Sequence, residues 1–408
     1  MGRLRIYFKP IWYNIMHHKA YAGFCVFGTM LTFVFITVVM QIAYVVKGNT
    51  PPALAGERIV AIPQLLEDEC GCVGRGISRA DIQTIVSNIR EDISYTCHHN
   101  ESIEVSVNRK YNSYKTLFVD ENYWNVFQFE FLQGHPFTKQ EMKMPCAIVS
   151  ERFVRTFFPN EDVINKEIRF QRGTYKITGV VKEVSLFAQE GDASLWVPEK
   201  FCKYSNGNDW VNTYILYPEN VSPQSIMKSV TNAFNLFTRM KYQFEGSTTL
   251  KKICTVKANM QHRYGGDLLL IGVIGIVFIL LIIPVLNFIL LSMANTRLQA
   301  SEIGLKRALG ADQVSTFLYV LTENFLLITF GALLGIVLTV PICRGMDIIL
   351  FSNRGVHDLT IFSGLDWEVM FIGVLPSFLL FLLFAGGIPA YWMVRRPIVN
   401  LLKGGAKC

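Results

Sequence analysis

Apolar residues fall into long runs near the two ends of this chain and into short alternations between them. No charge interrupts the stretch from about Tyr21 to Val46, and LLLIGVIGIVFILLIIPVLNFILL runs almost unbroken from Leu268 towards Met293. A third run, about Val314–Ile342, carries Glu323 and Asn324 in its first third. A fourth, about Val369–Val394, contains Pro376, Gly386, Gly387 and Pro389. A helix crossing a bilayer needs about 20 mostly apolar residues, so each run predicts a span. The first is longer than the apolar core of a cleaved leader, roughly 7–15 residues, and reads as a retained anchor.

Between the first and second runs the pattern changes to short strands and amphipathic helices. Strands are predicted at Arg58–Ile62, Ile103–Val107, Tyr114–Val119, Cys146–Val149, Glu167–Phe170, Tyr175–Lys182, Leu195–Val197, Asn212–Tyr217 and Lys252–Lys257. Helices are predicted at Ser78–Asp92, where Ser78 and Asp81 form a capping box, at Asn122–Phe127, at Ser150–Phe158 and, after Ser222, at Pro223–Met240. The expected architecture is an α-helical membrane protein with four transmembrane helices and a large α/β extracytoplasmic domain. The first and last thirds of that domain should pack together around a β-rich insertion.

Charge then orients the chain. Its 408 residues hold 39 Lys+Arg and 32 Asp+Glu, a net +7. A basic protein of this kind would suggest nucleic acid if the excess lay on a soluble domain, but residues 48–266 are nearly neutral. The excess sits instead in residues 1–20 (Arg3, Arg5, Lys9, Lys19), about 294–313 (Arg297, Lys306, Arg307) and 395–408 (Arg395, Arg396, Lys403, Lys407). Positive flanks face the cytoplasm. Both termini are therefore expected inside, against anionic membrane lipid, with residues 47–266 outside and no nucleic-acid partner. The resulting division is a cytoplasmic interfacial helix at 1–20 (its amphipathic part 5–19), a first span at 21–46, an outer domain at 47–266 and a membrane part at 267–408. The last part has spans at about 268–293, 314–342 and 369–394.

Catalytic patterns are missing from the sequence: there is no G-x-S-x-G, no H-E-x-x-H and no Gly-Lys dipeptide from which a phosphate loop could be built. The seven histidines are scattered, and the chain is expected to be non-catalytic, with no metal or cofactor of its own. In the outer domain Cys70 or Cys72 with Cys97 is the disulfide to test in an oxidising compartment. Glu323 is the one carboxylate within a span, and a helix-packing role competes with proton or substrate handling. The segment Ala294–Gln313, ANTRLQASEIGLKRALGADQ, predicts an amphipathic helix held between two spans and placed to take a push from a cytoplasmic partner.

Within that segment, Glu302-Ile303-Gly304-Leu305-Lys306-Arg307-Ala308-Leu309-Gly310-Ala311 resembles the signature after the second span of FtsX-like/MacB-type ABC transporter permeases. Val119–Glu183 is similar to part of the MacB-type periplasmic core domain, and IPAYWMVRRPIVNLLKGG, Ile388–Gly405, to the family's closing segment, with Tyr391 and Trp392 where the family has more Arg and Ala. The resemblance implies a type VII ABC architecture, with Porter-like and Sabre-like parts in the outer domain and location in the cell (inner) membrane. It implies partnership with a separate ABC ATPase, which would bind the ATP, with a second permease protomer in a homo- or heterodimer, and with a periplasmic adaptor or outer-membrane component. In the implied mechanism, mechanotransmission, ATPase dimerisation moves a coupling helix at about Gln299–Leu309. The long first and second spans then carry the motion outward, for export or extraction of a peptide, antibiotic or lipoprotein. Residues expected at the ATPase contact are Glu302, Ile303, Gly304, Leu305, Lys306, Arg307, Leu309 and Gly310. The alternative is an FtsX-like regulatory subunit that controls an extracellular enzyme or sensor.

Overall fold

The computed structural model describes residues 13, 15–47, 50–62, 65–67, 73–107, 110–159, 161–170, 173–185, 188, 192–202, 211–242, 253–351 and 364–395. Two compact units emerge. One gathers residues 1–43, 268–343 and 364–408, and the other residues 44–267 and 344–363.

Among the described residues, four helices are long and apolar enough to cross a membrane: α1 (Lys19–Val46), the greater part of α7 (Gly266–Leu298), most of α9 (Gln313–Phe351) and α10 (Trp367–Val394). At 1.5 Å per residue, α7 is about 50 Å long and α9 about 58 Å, both longer than the ~30 Å hydrocarbon layer. Pro284 and Pro341 lie inside these two helices without ending them. The last helix is different, because α-helical turns alternate with π-helical segments at Met370–Val374 and Leu382–Gly386. Most residues of the amphipathic stretch expected at 5–19 lie outside the described ones, and 15–17 are helical.

Packing among the spans relies on small residues. Gly331 and Gly335 of α9 lie against α1 so closely that a Cβ on Gly335 would stand 2.5 Å from the Met30 carbonyl oxygen and 3.0 Å from Phe33 Cβ. The hydroxyls of Thr29, Thr32 and Thr37 on α1 are turned back to the carbonyls of Cys25, Gly28 and Phe33, which satisfies them without a partner helix. Gln41 near the end of α1 bonds the Asp366 carboxylate at the start of the last span.

In the second unit a ten-stranded sheet has the order β12-β1-β11-β4-β5-β10-β7-β9-β6, with β8 bridging β4 and β9. Here β1 is Ile59–Ile62, β4 Ser94–Val107, β5 Lys110–Val119, β6 Phe131–Gly134, β7 Cys146–Ser150, β8 Glu167–Phe170, β9 Gly173–Val181, β10 Leu195–Pro198, β11 Asn212–Leu216 and β12 Cys254–Thr255. A separate pair joins β2 (Leu65–Glu67) to β3 (Val73–Gly76). The first and last segments meet where β1 pairs with both β11 and β12. The long hairpin β4–β5, in register from His98 with Val119 to Val107 with Lys110, continues the same sheet into the inserted part. The insertion is therefore an extension of one sheet, with its own core of Tyr114, Ile168 and Ile177 together with Phe153 and Phe157 of helix α4 (Glu151–Phe157).

Helices α2 (Arg79–Ser87) and α5 (Pro223–Tyr242) cover the other end, placing Ile82, Ile85, Val230, Phe234 and Phe237 on Val60 and Ile215. The capping box at Ser78 and Asp81 is formed, and Lys241 bonds the Asp81 carboxylate from α5. Although burial opposes ionisation of Asp81, the hydrogen bonds from Lys241 and Ser78 hold its carboxyl below the usual range. Between the two ends, Tyr123, Trp124, Phe127, Phe129, Trp196 and Tyr214 form an aromatic cluster around the short α3 (Tyr123–Val126). The strand expected at Lys252–Lys257 is only two residues long, because the Thr255 hydroxyl accepts from Ala258 N–H and starts helix α6 (Val256–Tyr264) instead.

Cys97 carries a free thiol, buried and 3.4 Å from Thr213 Oγ1, so the expected disulfide is not made by it; Cys70 and Cys72 lie outside the described residues. His98 is buried, stacks on Tyr214 and meets the edge of Tyr123.

Candidate functional site

The connection between the two central spans folds as helix α8 (Ala300–Ala308). Ala, Leu, Glu, Lys and Arg, all good helix formers, fill most of it. Its end is sharply defined. Gly310 N–H bonds the Arg307 carbonyl and Ala311 N–H bonds the Lys306 carbonyl, and Gly310 takes φ +104°. This Schellman closure needs a left-handed residue at that position, which explains the glycine. Two residues on, Asp312 caps α9 by accepting from Ser315 N–H at 3.1 Å. The turn between α8 and α9 is thereby fixed at both ends.

The faces of α8 are unlike. Ala300 and Ile303 are buried with Tyr319 and Val320 of α9 and with Ala390 and Met393 of α10. Gly304 is buried beside them. On the other side Leu305 is 55% exposed and Leu309 79%, four residues apart on one helical face. Lys306 pairs with Glu302 at 2.8 Å and lies 4.6 Å from the centre of the Tyr319 ring. Arg307 donates from Nη1 to the Val394 carbonyl at 3.3 Å. Arg297 rests on the Trp392 ring and Arg395 on Tyr391. The two aromatic residues that depart from the family's closing pattern therefore seat cations at this end of the bundle.

Of the eight residues expected at a partner contact, Ile303 and Gly304 are turned into the bundle and hold α8 in place. Leu305, Leu309, Glu302 and Lys306 are exposed, Arg307 is half-buried, and Gly310 shapes the turn. Residues 396–408, including most of the closing basic stretch, lie outside the described ones.

One or two turns deeper lies a buried polar cluster. Asn295 of α7 donates to Glu323 of α9 at 3.1 Å, and Ser292 of α7 donates to Asn324 Oδ1 at 3.0 Å. Glu323 thus has a helix-to-helix partner. Asn295, Ser292 and Asn324 were not anticipated from the sequence. The only signal was the occurrence of isolated polar residues in apolar runs. Among the described residues, no group of three His, Cys, Asp or Glu side chains is arranged to hold a metal ion.

A family model for the MacB-like periplasmic core domain matches residues 23–233, more than half of the chain, and one for the FtsX-like permease C-terminal region matches 274–398. The macrolide export ATP-binding/permease protein MacB of Mannheimia succiniciproducens is 26% identical over 242 residues, covering 58% of this chain and 36% of that protein. The ABC transporter permease YknZ of Bacillus subtilis, itself uncharacterized, is 23% identical over 331 residues, covering 79% and 75%. The chain spans about a third of the length of its MacB relatives. The crystal structure of the periplasmic region of MacB from Actinobacillus actinomycetemcomitans is similar with 16% identity and a TM-score of 0.40, over 51% of this chain and 92% of that one. With both family models matched in order along four apolar helices and an α/β domain, the chain belongs to the FtsX/MacB-type ABC transporter permeases.

Proposed function

We propose that this chain is the non-catalytic permease subunit of a type VII ABC transporter, and that it converts ATP hydrolysis by a separate ATPase subunit into movement of its outer domain. An ABC permease implies an ATPase partner. The observation that carries the reading is the two-faced helix α8. Ile303 and Ala300 anchor it to α9 and α10, while Leu305 and Leu309 stand in solvent with Glu302 and Lys306 beside them. Two exposed leucines on one face of a helix anchored at both ends form an apolar contact with polar neighbours, the composition of a small docking patch. A push on that face is delivered to α9 and α10, against which Ala300 and Ile303 pack, and to α7, from which α8 continues through the backbone bonds of Gln299.

The positive flanks support a cytoplasmic location for this end and both termini, with the α/β domain on the far side of the membrane. The cargo is a molecule taken up on that far side, in the class of peptides, antibiotics or lipoproteins, and a second permease protomer completes the assembly. In that scheme no substrate needs to cross the bilayer through this chain.

Two measurements test the reading. In a labelling scan of intact cells, a cysteine at the exposed Glu121 should react with impermeant reagent and one at the exposed Ser301 should not, and the reverse pattern rejects the orientation. Leu305→Glu with Leu309→Glu should abolish co-purification of the ATPase in mild detergent while the permease stays folded. Undiminished co-purification rejects the docking role. The leucine pair is a cleaner probe than reversing Lys306 and Arg307, which also hold Glu302, Tyr319 and Val394 within this chain.

A further inference from the structure

The last span is separated from α8 in sequence by the whole of α9, so any displacement of α8 reaches it through side-chain contacts. At the depth of the polar cluster, one residue makes that connection in three directions. Asn324 is buried on α9. Its Oδ1 accepts from Ser292 Oγ of α7 at 3.0 Å and from the Tyr21 hydroxyl of α1 at 3.5 Å. Its Nδ2 donates to the Gly386 carbonyl of α10 at 3.3 Å. A single amide therefore joins all four spans, with its acceptor and donor ends both in use.

The position of the bond on α10 is specific. Gly386 closes the π-helical segment Leu382–Gly386, and Pro389, which has no N–H, follows three residues later. A π segment and a proline within one turn weaken the regular backbone ladder, and such places bend. A side-chain donor from a neighbouring helix is supplied at one of the two places where a π segment and a proline interrupt α10. A Cβ at Gly386 would stand 3.7 Å from Asn324 Cβ, an ordinary contact that places the two helices within packing distance at this bond. In lipid, apolar helix faces attract one another without a strong preference for register, whereas a hydrogen bond fixes both distance and register. Next to it, the Asn295–Glu323 bond ties α7 to α9 a second time.

We propose that Asn324 is a positioning residue that locks the hinge of the last span to the α7–α8–α9 hairpin, so that α10 follows α8 as one body during the transport cycle. This rests on the coupling role of α8 proposed above. The lock is directional. Replacing the amide by an isosteric apolar group leaves the packing volume nearly intact but frees α10 to bend at Leu382–Gly386.

The test uses the permease–ATPase complex in lipid nanodiscs, with spin labels on genetically encoded residues at Ser301 of α8 and Ile388 of α10. In the unaltered complex the inter-label distance should be narrow and equal in the nucleotide-free and ATP-trapped states. In Asn324→Leu it should broaden or shift on ATP trapping, and Ser292→Ala, a milder change, should broaden it less. Asn324→Gln, which keeps the amide, should recover part of the narrow distribution, a rescue that loss of packing would not produce. A distance in Asn324→Leu that stays narrow and equal in both states overturns the lock, as does a distance that already differs between states in the unaltered complex. A third label pair, from Ser301 to the ATPase, separates the two ideas. If it does not respond to ATP, the coupling reading itself falls and the lock falls with it. If it responds while Asn324→Leu changes nothing, the lock alone is refuted.

Discussion

Adding one methyl group at Gly335 tests how the spans are held together. The new Cβ would meet the Met30 carbonyl oxygen at 2.5 Å, Phe33 Cβ at 3.0 Å and the Met30 carbonyl carbon at 3.3 Å. Close C···O contacts are about 3.3 Å or more, so α1 and α9 would have to separate by roughly 0.8 Å at this point. The obstruction is backbone, which cannot rotate away as a flexible side chain can. Overpacking of this kind costs about 1–3 kcal/mol. Against it stands a gain of about 1 kcal/mol from replacing glycine by alanine within a helix. Gly275 of α7 provides the control, because a Cβ there meets nothing within 4 Å. The helix-propensity gain is common to both variants, so the difference between them isolates the steric cost. Gly275→Ala should be as stable as the parent or more so, and Gly335→Ala should fall below Gly275→Ala by about 1–3 kcal/mol. Thermal unfolding in detergent, followed by the loss of the monodisperse peak, reads the order of the midpoints. Equal or higher stability for Gly335→Ala would refute the close approach of α1 and α9.

Three further outcomes are expected. Burial, reinforced by Lys115 and His99, holds His98 at about 3 instead of 6.5, so below about pH 6.5 the unfolded chain takes up a proton that the folded domain refuses. Stability should therefore fall as pH drops from about 6.5 towards 3, and His98→Phe should flatten that dependence by up to about 1.4 kcal/mol per pH unit in denaturant titrations. Burial also pushes the Cys97 thiol up to about 11 and Cys146 to about 12, so both should resist iodoacetamide at pH 8 in the native protein and react once it is denatured, as read by mass spectrometry. Trp196, whose indole N–H lies 3.3 Å from the Tyr123 hydroxyl within the aromatic cluster, should cost about 3–5 kcal/mol when replaced by alanine, with loss of near-ultraviolet circular dichroism.

What the sequence revealed, and what it hid, follows from the range of the interactions involved. Runs of apolar residues specify spans through length alone, and α8 could be anticipated because its helix formers end at a glycine. The capping box at Ser78 and Asp81 is likewise a local feature, three residues apart. The first half of β4 was harder to see. Its SYTCHHN segment looks polar, yet Thr96, Cys97, His98 and His99 are all buried, the first three paired with β11 and the last two with β5, so alternation gave no signal. The inward turn of Ile303 could not be distinguished from the outward turn of Leu305 without knowing where α9 and α10 lie. Asn324 is the clearest case. A lone amide in an apolar run carries no periodic pattern, and its partners are 32, 62 and 303 residues away. The close approach of α9 to α1 at Gly331 and Gly335 was hidden as well, because two glycines four apart do not say which helix they accept.

The central claim is that the exposed face of α8 receives the ATPase. Photo-crosslinking residues placed one at a time at Ile303, Leu305 and Leu309, in cells that express the intact complex, test it directly. Leu305 and Leu309 should yield a crosslinked band that contains the ATPase and depends on its presence. Ile303, buried against Tyr319 and Met393, should yield none. Crosslinking from Ile303 with none from Leu305 or Leu309, or no ATPase adduct from any of the three, would contradict the account.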